Sequence, residues 1–365
     1  MSAKKTPLYD EHVKLGGNVV DYAGWALPVQ YEGLIPEHEA VRNAVGMFDV
    51  SHMGEITVKG KEALAFLDYL LTNDITTLVD NQILYTMMCY PDGGVVDDLL
   101  VYRYNSEYFY LVVNAANCDK DFEWIVNQKG DYDVEIENVS DGVGQVAIQG
   151  PDAEKTLQKL TETDLSQIKY YYFQDEVMVD GVKCMVSRTG YTGEDGFEVY
   201  TDLEGVVKVW NSVLEAGKEY GIKPAGLGCR DTLRFEASLP LYGNEISRDI
   251  TPLEGGLRFF VKFKKESDFI GKEGLQKQLD AGLERKLAGL ELLGRGIPRE
   301  GYEVQKDGEK IGHITTGYMS PTLKKGIANA LLKPEFTEID TEVDVIIRNK
   351  PVKAKVIKRS FLKNK

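Results

Sequence analysis

Ile83-Leu-Tyr-Thr-Met-Met-Cys-Tyr-Pro-Asp-Gly-Gly-Val-Val-Asp-Asp-Leu-Leu-Val-Tyr-Arg-Tyr-Asn-Ser-Glu-Tyr-Phe-Tyr-Leu-Val-Val-Asn-Ala115 is the stretch on which the reading of this chain turns. Three runs rich in aromatic and β-branched residues, Ile83 to Tyr90, Val95 to Tyr104 and Tyr108 to Ala115, are parted by Pro91-Asp-Gly-Gly94 and Asn105-Ser-Glu107. Such runs between turn residues predict two successive hairpins. If Asn105 to Glu107 is a three-residue loop, facing positions sum to 212, so Tyr102 faces Tyr110 and Asp98 faces Asn114. A four-residue loop at 91–94 sets Met87 against Asp98. Side chains alternate along a strand, which gathers Tyr85, Met87, Asp98, Leu100, Tyr102, Tyr110, Val112 and Asn114 on one face. A bulge in either loop would bring Asp97 there instead. Acids beside hairpins also lie on solvent faces. Either register, however, sets a carboxyl among apolar residues, and burying an unpaired carboxylate is costly enough to point to a ligand or a catalytic role.

Outward from this core, Glu55 to Lys59 reads as a strand, Lys61 to Leu71 as an amphipathic helix, Asn117 as the N-cap of a helix to Gln128, and Asp133 to Asn138 as a closing strand. Upstream, Pro36 to Val45 has a helical stripe with proline and acids at its start. Downstream, Pro151 to Leu160 is expected to be helical. Val177 to Ser187 reads as a hairpin turning at Asp180-Gly181, and Gly205 to Tyr220 as a helix stopped by Gly221. After about residue 285 short alternating runs, Lys310 to Thr315, Val343 to Arg348 and Val352 to Ile357, predict a small all-β barrel or sandwich.

A chain of 365 residues with 43% hydrophobic content is long enough for two or three cores. It has no run of about 18 apolar residues, so neither a membrane span nor a leader is expected, and the location expected is cytoplasmic. Cys89, Cys118, Cys184 and Cys229 form no C-x-x-C pair, and His12, His38, His52 and His313 have no metal-ligand spacing; reduced thiols and no metal are expected. A formal charge of -15 repels a nucleic-acid backbone. Neither a dinucleotide fingerprint nor a P-loop occurs, which argues against flavin, nicotinamide and nucleotide phosphate. Gly190-Tyr-Thr-Gly-Glu-Asp-Gly196 instead feeds a strand that carries Glu198 on the face opposite Phe197 and Val199. Gly228 to Glu236 reads as a helix with Arg230 and Arg234 one turn apart. From the residues alone, Glu198 and Arg230 make either a plain structural ion pair or a binding pair.

Gly24-Trp-Ala-Leu-Pro28, Asp49-Val-Ser-His-Met-Gly54, Gly93-Gly-Val-Val-Asp-Asp98, Val113-Asn-Ala115, Gly190 to Glu198, Arg230-Asp-Thr-Leu-Arg234, Leu241-Tyr-Gly-Asn-Glu245 and Ser320-Pro-Thr-Leu-Lys324 occur in the order seen in the T-protein, or aminomethyltransferase, family of the glycine cleavage system, which this chain resembles from near residue 7 to near residue 360. The resemblance implies an α+β protein of three domains in a cloverleaf. These are a discontinuous folate-binding domain (1–50 and 141–280), a ferredoxin-like domain (51–140) and a C-terminal β-barrel (281–365). It implies Asp98 as the essential carboxylate, Met53, Tyr85, Leu100, Tyr102, Asn114 and Tyr191 as residues of the folate cleft, and Glu198 with Arg230 as the pair that recognises the pterin.

The implied co-substrate is tetrahydrofolate and the implied partner the lipoylated H protein. The implied reaction carries the methylene carbon from the aminomethylated dihydrolipoyl arm to folate with release of ammonia. Asp98 would either move a proton at N10 or support a cationic carbon, two roles the sequence leaves open. Two rival readings are folate-linked demethylating enzymes of the dimethylglycine and sarcosine type, and a folate-binding accessory protein. The first usually adjoins a dinucleotide fingerprint that this chain lacks. The second carries a reactive cysteine where this chain reads Lys265-Glu-Ser-Asp-Phe-Ile-Gly-Lys-Glu273. Basic runs at Lys262 to Lys265 and Lys350 to Lys365 are candidates for a docking surface.

Overall fold

Hydrophobic alternation along the strands accounts for the layers seen in the computed structural model, which describes residues 3–364. The chain divides into two compact units. The first holds residues up to Leu67, Ile75–Tyr85 and Leu99–Leu233, and the second Asp68–Asp74, Thr86–Asp98 and Arg234 onward.

In the first unit a six-stranded sheet runs in the order Phe173–Val179, Val182–Ser187, Gly196–Thr201, Gly144–Gln149, Gly46–Asp49 and Lys223–Pro224. One face presents Val146, Ile148, Val186, Phe197 and Val199 to a core closed by the helices Ala153–Gln158 and Leu203–Ala216, whose Trp210 is fully buried. Asp202 caps the longer helix by accepting from the backbone of Glu204 and Gly205. The expected hairpin at Asp180-Gly181 is present, and both turn residues adopt positive φ (46° and 74°), as a two-residue turn matched to strand twist requires.

A five-stranded sheet has the order Ile83–Cys89, Val95–Asn105, Tyr108–Val113, Gly54–Lys59 and Glu135–Asn138. Its register answers the question the sequence leaves open. Leu99 faces Val113, Leu100 faces Val112 and Tyr102 faces Tyr110, all on the 212 register, yet the loop is shorter than three residues because Asn105 faces Tyr108. A bulge between Arg103 and Asn105 absorbs the difference at Tyr104, whose ring stacks on Tyr108 at 4.3 Å between centroids. The bulge lies beyond the core pairs, so alternation keeps Asp98 on the face of Leu100 and Tyr102. Asp97, on the other face, is wholly buried.

The face bearing Tyr102, Tyr110 and Val112 packs against Phe173, Met185 and Tyr200 of the six-stranded sheet in one aromatic layer. Asn117 does precede the helix Cys118–Asn127, but its side chain makes no cap hydrogen bond. In the second unit, strands from Lys286–Leu292 to Lys350–Ile357 close into a six-stranded barrel around Leu290, Val304, Ile314, Ala330 and Val345. No helix among the described residues is long and apolar enough to cross a membrane.

Candidate functional site

The aromatic layer ends beside Glu198, which register places next to Ala147 on one side and Ser187 on the other. Tyr200 lies two residues along the same strand and shares its face, so one strand supplies both a carboxyl and a phenol. The half-buried carboxyl accepts from Thr189 Oγ1 at 2.5 Å and from Gln145 Nε2 at 3.1 Å. Burial raises its pKa, opposed by the Thr189 hydroxyl, the positive charge of Arg230 and the Gln145 amide.

From Thr189 a chain of hydroxyls leads inward. Ser187 Oγ lies 2.6 Å from Thr189 Oγ1, Tyr102 Oη 3.3 Å from Ser187 Oγ, and Tyr200 Oη 2.7 Å from Tyr102 Oη. Each hydroxyl has one proton to give. If Thr189 gives its proton to an ionised Glu198, Ser187 must donate to Thr189, Tyr102 to Ser187 and Tyr200 to Tyr102. Every O–H dipole in the chain then points toward the carboxylate, an arrangement in which each bond strengthens the next. Tyr102 is fully buried and acts as the floor of this arrangement.

Arg230 lies one turn into the helix Leu227–Glu236, and its guanidinium sits over the Tyr191 ring at 4.7 Å from the centroid. The helix Leu34–Asn43 holds both parts in place. Arg42 donates to Thr192 O at 2.6 Å, Glu194 Oε1 at 2.9 Å and Leu233 O at 3.0 Å, while Glu37 accepts from the Gly226 backbone at 2.9 Å and His38 Nδ1 meets Thr232 Oγ1 at 2.8 Å. A Cβ at Gly190 would lie 1.9 Å from Gln149 Oε1, so a larger residue there would displace the Gln149 amide. That amide ties the loop down, donating to Thr189 O at 3.0 Å and accepting from Thr192 Oγ1 at 2.8 Å. Buried His52 has its pKa pushed down to about 4, first by burial and then by the Arg230 charge, with Asp49 opposing. The imidazole is therefore neutral near pH 7 and Arg230 is the cation at this point.

Of the residues singled out from sequence, Met53 packs against both the aromatic layer and the cluster that contains Cys229 and Leu233. Leu100 packs on the aromatic layer, and Tyr102, Tyr191, Glu198 and Arg230 belong to the network just described. Tyr85 is half-buried on Ile83–Cys89, and half-buried Asn114 follows the strand Tyr108–Val113, its carbonyl accepting from Asn117 N at 2.9 Å. Asp98 is half-buried in the Thr86–Asp98 segment of the second unit. The sequence reading missed Gln145, Thr189, Ser187, Tyr200 and His52. Two had a signal: Tyr200 follows Glu198 by one alternation and Thr189 abuts the glycine-rich motif. Among the described residues no group of three or more His, Cys, Asp or Glu side chains is placed to hold a metal ion.

The arrangement offers a hydrogen-bond acceptor (Glu198), a cation stacked on an aromatic ring (Arg230 on Tyr191), and flat apolar surface (Met53, Leu100), donors and surfaces that suit a flat heterocycle with both N–H and carbonyl groups. The GCVT N-terminal domain family matches residues 8–265, and the glycine cleavage T-protein C-terminal barrel domain family matches residues 285–363. An aminomethyltransferase of Caldanaerobacter subterraneus subsp. tengcongensis is 62% identical over 360 residues, covering 99% of this chain and 96% of the relative. One of Thermoanaerobacter pseudethanolicus is 60% identical over 360 residues, covering 99% and 98%. The crystal structure of glycine cleavage system aminomethyltransferase T from Bartonella henselae superposes with a TM-score of 0.92 at 30% identity, covering 99% of this chain and 98% of that one.

Proposed function

The chain belongs to the glycine cleavage T-protein family of aminomethyltransferases, and from that premise we propose a site, a co-substrate and a partner for its reaction. The co-substrate is tetrahydrofolate, and the aminomethyl group arrives as a thioether on the dihydrolipoyl arm of the H protein. Tetrahydrofolate supplies N5, which takes the carbon, and N10, which closes the ring. The products are ammonia, 5,10-methylenetetrahydrofolate and the reduced arm.

Glu198 accepts the pterin N–H groups, Arg230 donates to its carbonyl, and Tyr191 holds the guanidinium in place. The hydroxyl chain ending at Thr189 keeps Glu198 oriented, while neutral His52 leaves the Arg230 charge uncontested. Met53, Tyr85, Leu100 and Asn114 line the cleft over the Tyr102 floor. Asp98 is the catalytic carboxylate, moving a proton at N10 or supporting positive charge on the transferred carbon. For the chain as a whole we propose a folate-binding domain from 1–50 and 141–280, a ferredoxin-like domain over 51–140, a barrel over 281–365, and a cytoplasmic location.

The observation that supports this best is that Glu198 and Arg230 are not used up on each other. The carboxyl is held by Thr189 and Gln145, and the guanidinium lies over Tyr191. The deciding experiment supplies aminomethylated lipoyl protein with and without tetrahydrofolate and follows ammonia. Release that depends on folate is expected, and equal release without folate would overturn the reading.

A further inference from the structure

Two rungs cross three strands of the five-stranded sheet on its aromatic face: Leu100, Val112 and Glu55, then Tyr102, Tyr110 and Thr57. Glu55 is the anomaly. It is 1% exposed, and neither carboxyl oxygen has a hydrogen-bond partner among the described residues; the buried Thr57 Oγ1, two residues along the same face, has none either. The Glu55 backbone is fully engaged with the turn at Ser140: its N–H donates to Ser140 Oγ at 2.8 Å and its carbonyl accepts from Val139 N at 2.9 Å. The side chain is thus held in place without being satisfied.

Groups near it are Tyr110 from the neighbouring strand and Ser140, whereas Cys118, at the start of the helix Cys118–Asn127, lies against Gly54 on the other face of the strand. Glu137, opposite Thr57, is exposed. None is a cation. A bare carboxylate in such surroundings is far more costly than a carboxylic acid, and burial pushes the Glu55 carboxyl well above the usual range; the nearby Ser140 hydroxyl pulls the other way, but its proton goes to Asn138 Oδ1 at 2.6 Å and not to either Glu55 oxygen.

We propose that Glu55 is a positioning residue of the folate site, a proton-bearing carboxyl that holds the sheet face beside Val112 and Leu100 in shape and loosens it when the proton leaves. Ionisation puts a charge beside Val112 at the edge of the layer formed by Tyr102, Tyr110 and Val112 and draws water toward it, so the cleft loses its shape for folate as pH rises. Glu55 touches no reacting atom; it acts through Val112, one strand away, and Leu100, the next. The role rests on the folate reading above, and two measurements separate the failure of each.

Tetrahydrofolate binding by wild type, Glu55→Gln and Glu55→Leu is measured by calorimetry from neutral to alkaline pH, alongside infrared difference spectra of wild type and Glu55→Gln. Wild type is expected to lose affinity by about fivefold or more on the alkaline side, whereas Glu55→Gln, which cannot ionise, stays within about twofold throughout. A protonated-carboxyl band present in wild type at neutral pH should be missing from Glu55→Gln. Glu55→Leu, which lacks polar atoms, should bind more weakly at every pH with no added alkaline decline. The same alkaline decline in Glu55→Gln as in wild type, or a purely lowered melting temperature with an unchanged pH profile, overturns the proposal. A wild type that binds no tetrahydrofolate at any pH overturns the folate reading and the positioning role with it, while the infrared band reports on the Glu55 proton separately.

Discussion

Arg230 and Arg234 stand four residues apart on the same helix, and each has a buried or half-buried glutamate in its surroundings, yet the two regions are built to different ends. Arg234 Nη1 meets Glu245 Oε2 at 2.7 Å, and both side chains are essentially inaccessible. Glu245 also accepts from Thr316 Oγ1 (2.6 Å), Thr315 Oγ1 (3.0 Å), Asn329 Nδ2 (3.3 Å) and the Leu241 backbone (3.1 Å), while Arg234 donates to Leu239 O and Thr316 Oγ1. Both carboxyl oxygens of Glu245 are engaged, and Arg234 is held by its carboxylate and by neighbouring oxygens. Around Arg230 the glutamate takes neutral donors, and the guanidinium rests on a tyrosine ring. A saturated ion pair serves the fold, because its desolvation is offset on the spot. A carboxyl and a guanidinium that keep hydrogen-bonding capacity are suited to a ligand.

The largest expected effect breaks the saturated pair. Arg234→Met leaves Glu245 buried without its cation and should cost about 3–5 kcal/mol in chemical denaturation, with the folate affinity of the folded fraction near normal. A loss under about 1 kcal/mol would show that the threonines, Asn329 and the nearby Arg359 charge suffice for Glu245.

Asp98→Asn should slow turnover by at least about 100-fold while folate affinity changes far less, the signature of a group that acts on the transition state. Asp97→Asn, on the opposite face, should be milder in turnover; the reverse order would break the assignment of face.

Glu198→Gln sharpens the comparison directly. Folate binding should weaken by about 1.5–3 kcal/mol in calorimetry while the ligand-free melting temperature barely moves. If the melting temperature falls clearly and affinity stays normal, Glu198 is a structural acid like Glu245.

A smaller effect is expected at the far end of the hydroxyl chain. Tyr200→Phe removes the hydroxyl that is hydrogen-bonded to Tyr102 and should cost about 0.5–1.5 kcal/mol of stability, leaving folate affinity within about threefold.

The smallest effect is one of pH. Because the folded-state pKa of Glu198 is raised, the folded protein keeps this proton to higher pH than the unfolded chain. Stability of the ligand-free protein therefore declines as pH rises from near 4.5, the ordinary value, through the raised one. Folate affinity should rise across the same window as the carboxylate forms. Melting curves and binding titrations on wild type and Glu198→Gln check both, and the difference between the two proteins should show both slopes.

How much of this was legible beforehand differs by residue, for physical reasons. The strands, their hairpins and the barrel follow from alternation and turn chemistry, which are local and need no partner to be read. The face of Asp98 was legible only up to a bulge, because one extra residue inverts a strand's faces; the bulge sits at Tyr104, where no sequence rule set it. Glu198 and Arg230 were visible as types at a spacing, but whether they spend themselves on each other depends on Gln145, from a strand distant in the chain, and on how the loop before Glu198 places Thr189 and Tyr191. Glu55 was read only as the first residue of a strand. Its burial follows from which sheet face is covered, and the lack of a partner from what covers it. By itself, then, the sequence determined the elements, the family motifs and the candidate residue types, since these rest on local propensity and covalent order. Tertiary structure alone decided which acids are saturated and which keep capacity for a ligand, because desolvation and hydrogen-bond satisfaction depend on neighbours that lie far apart along the chain.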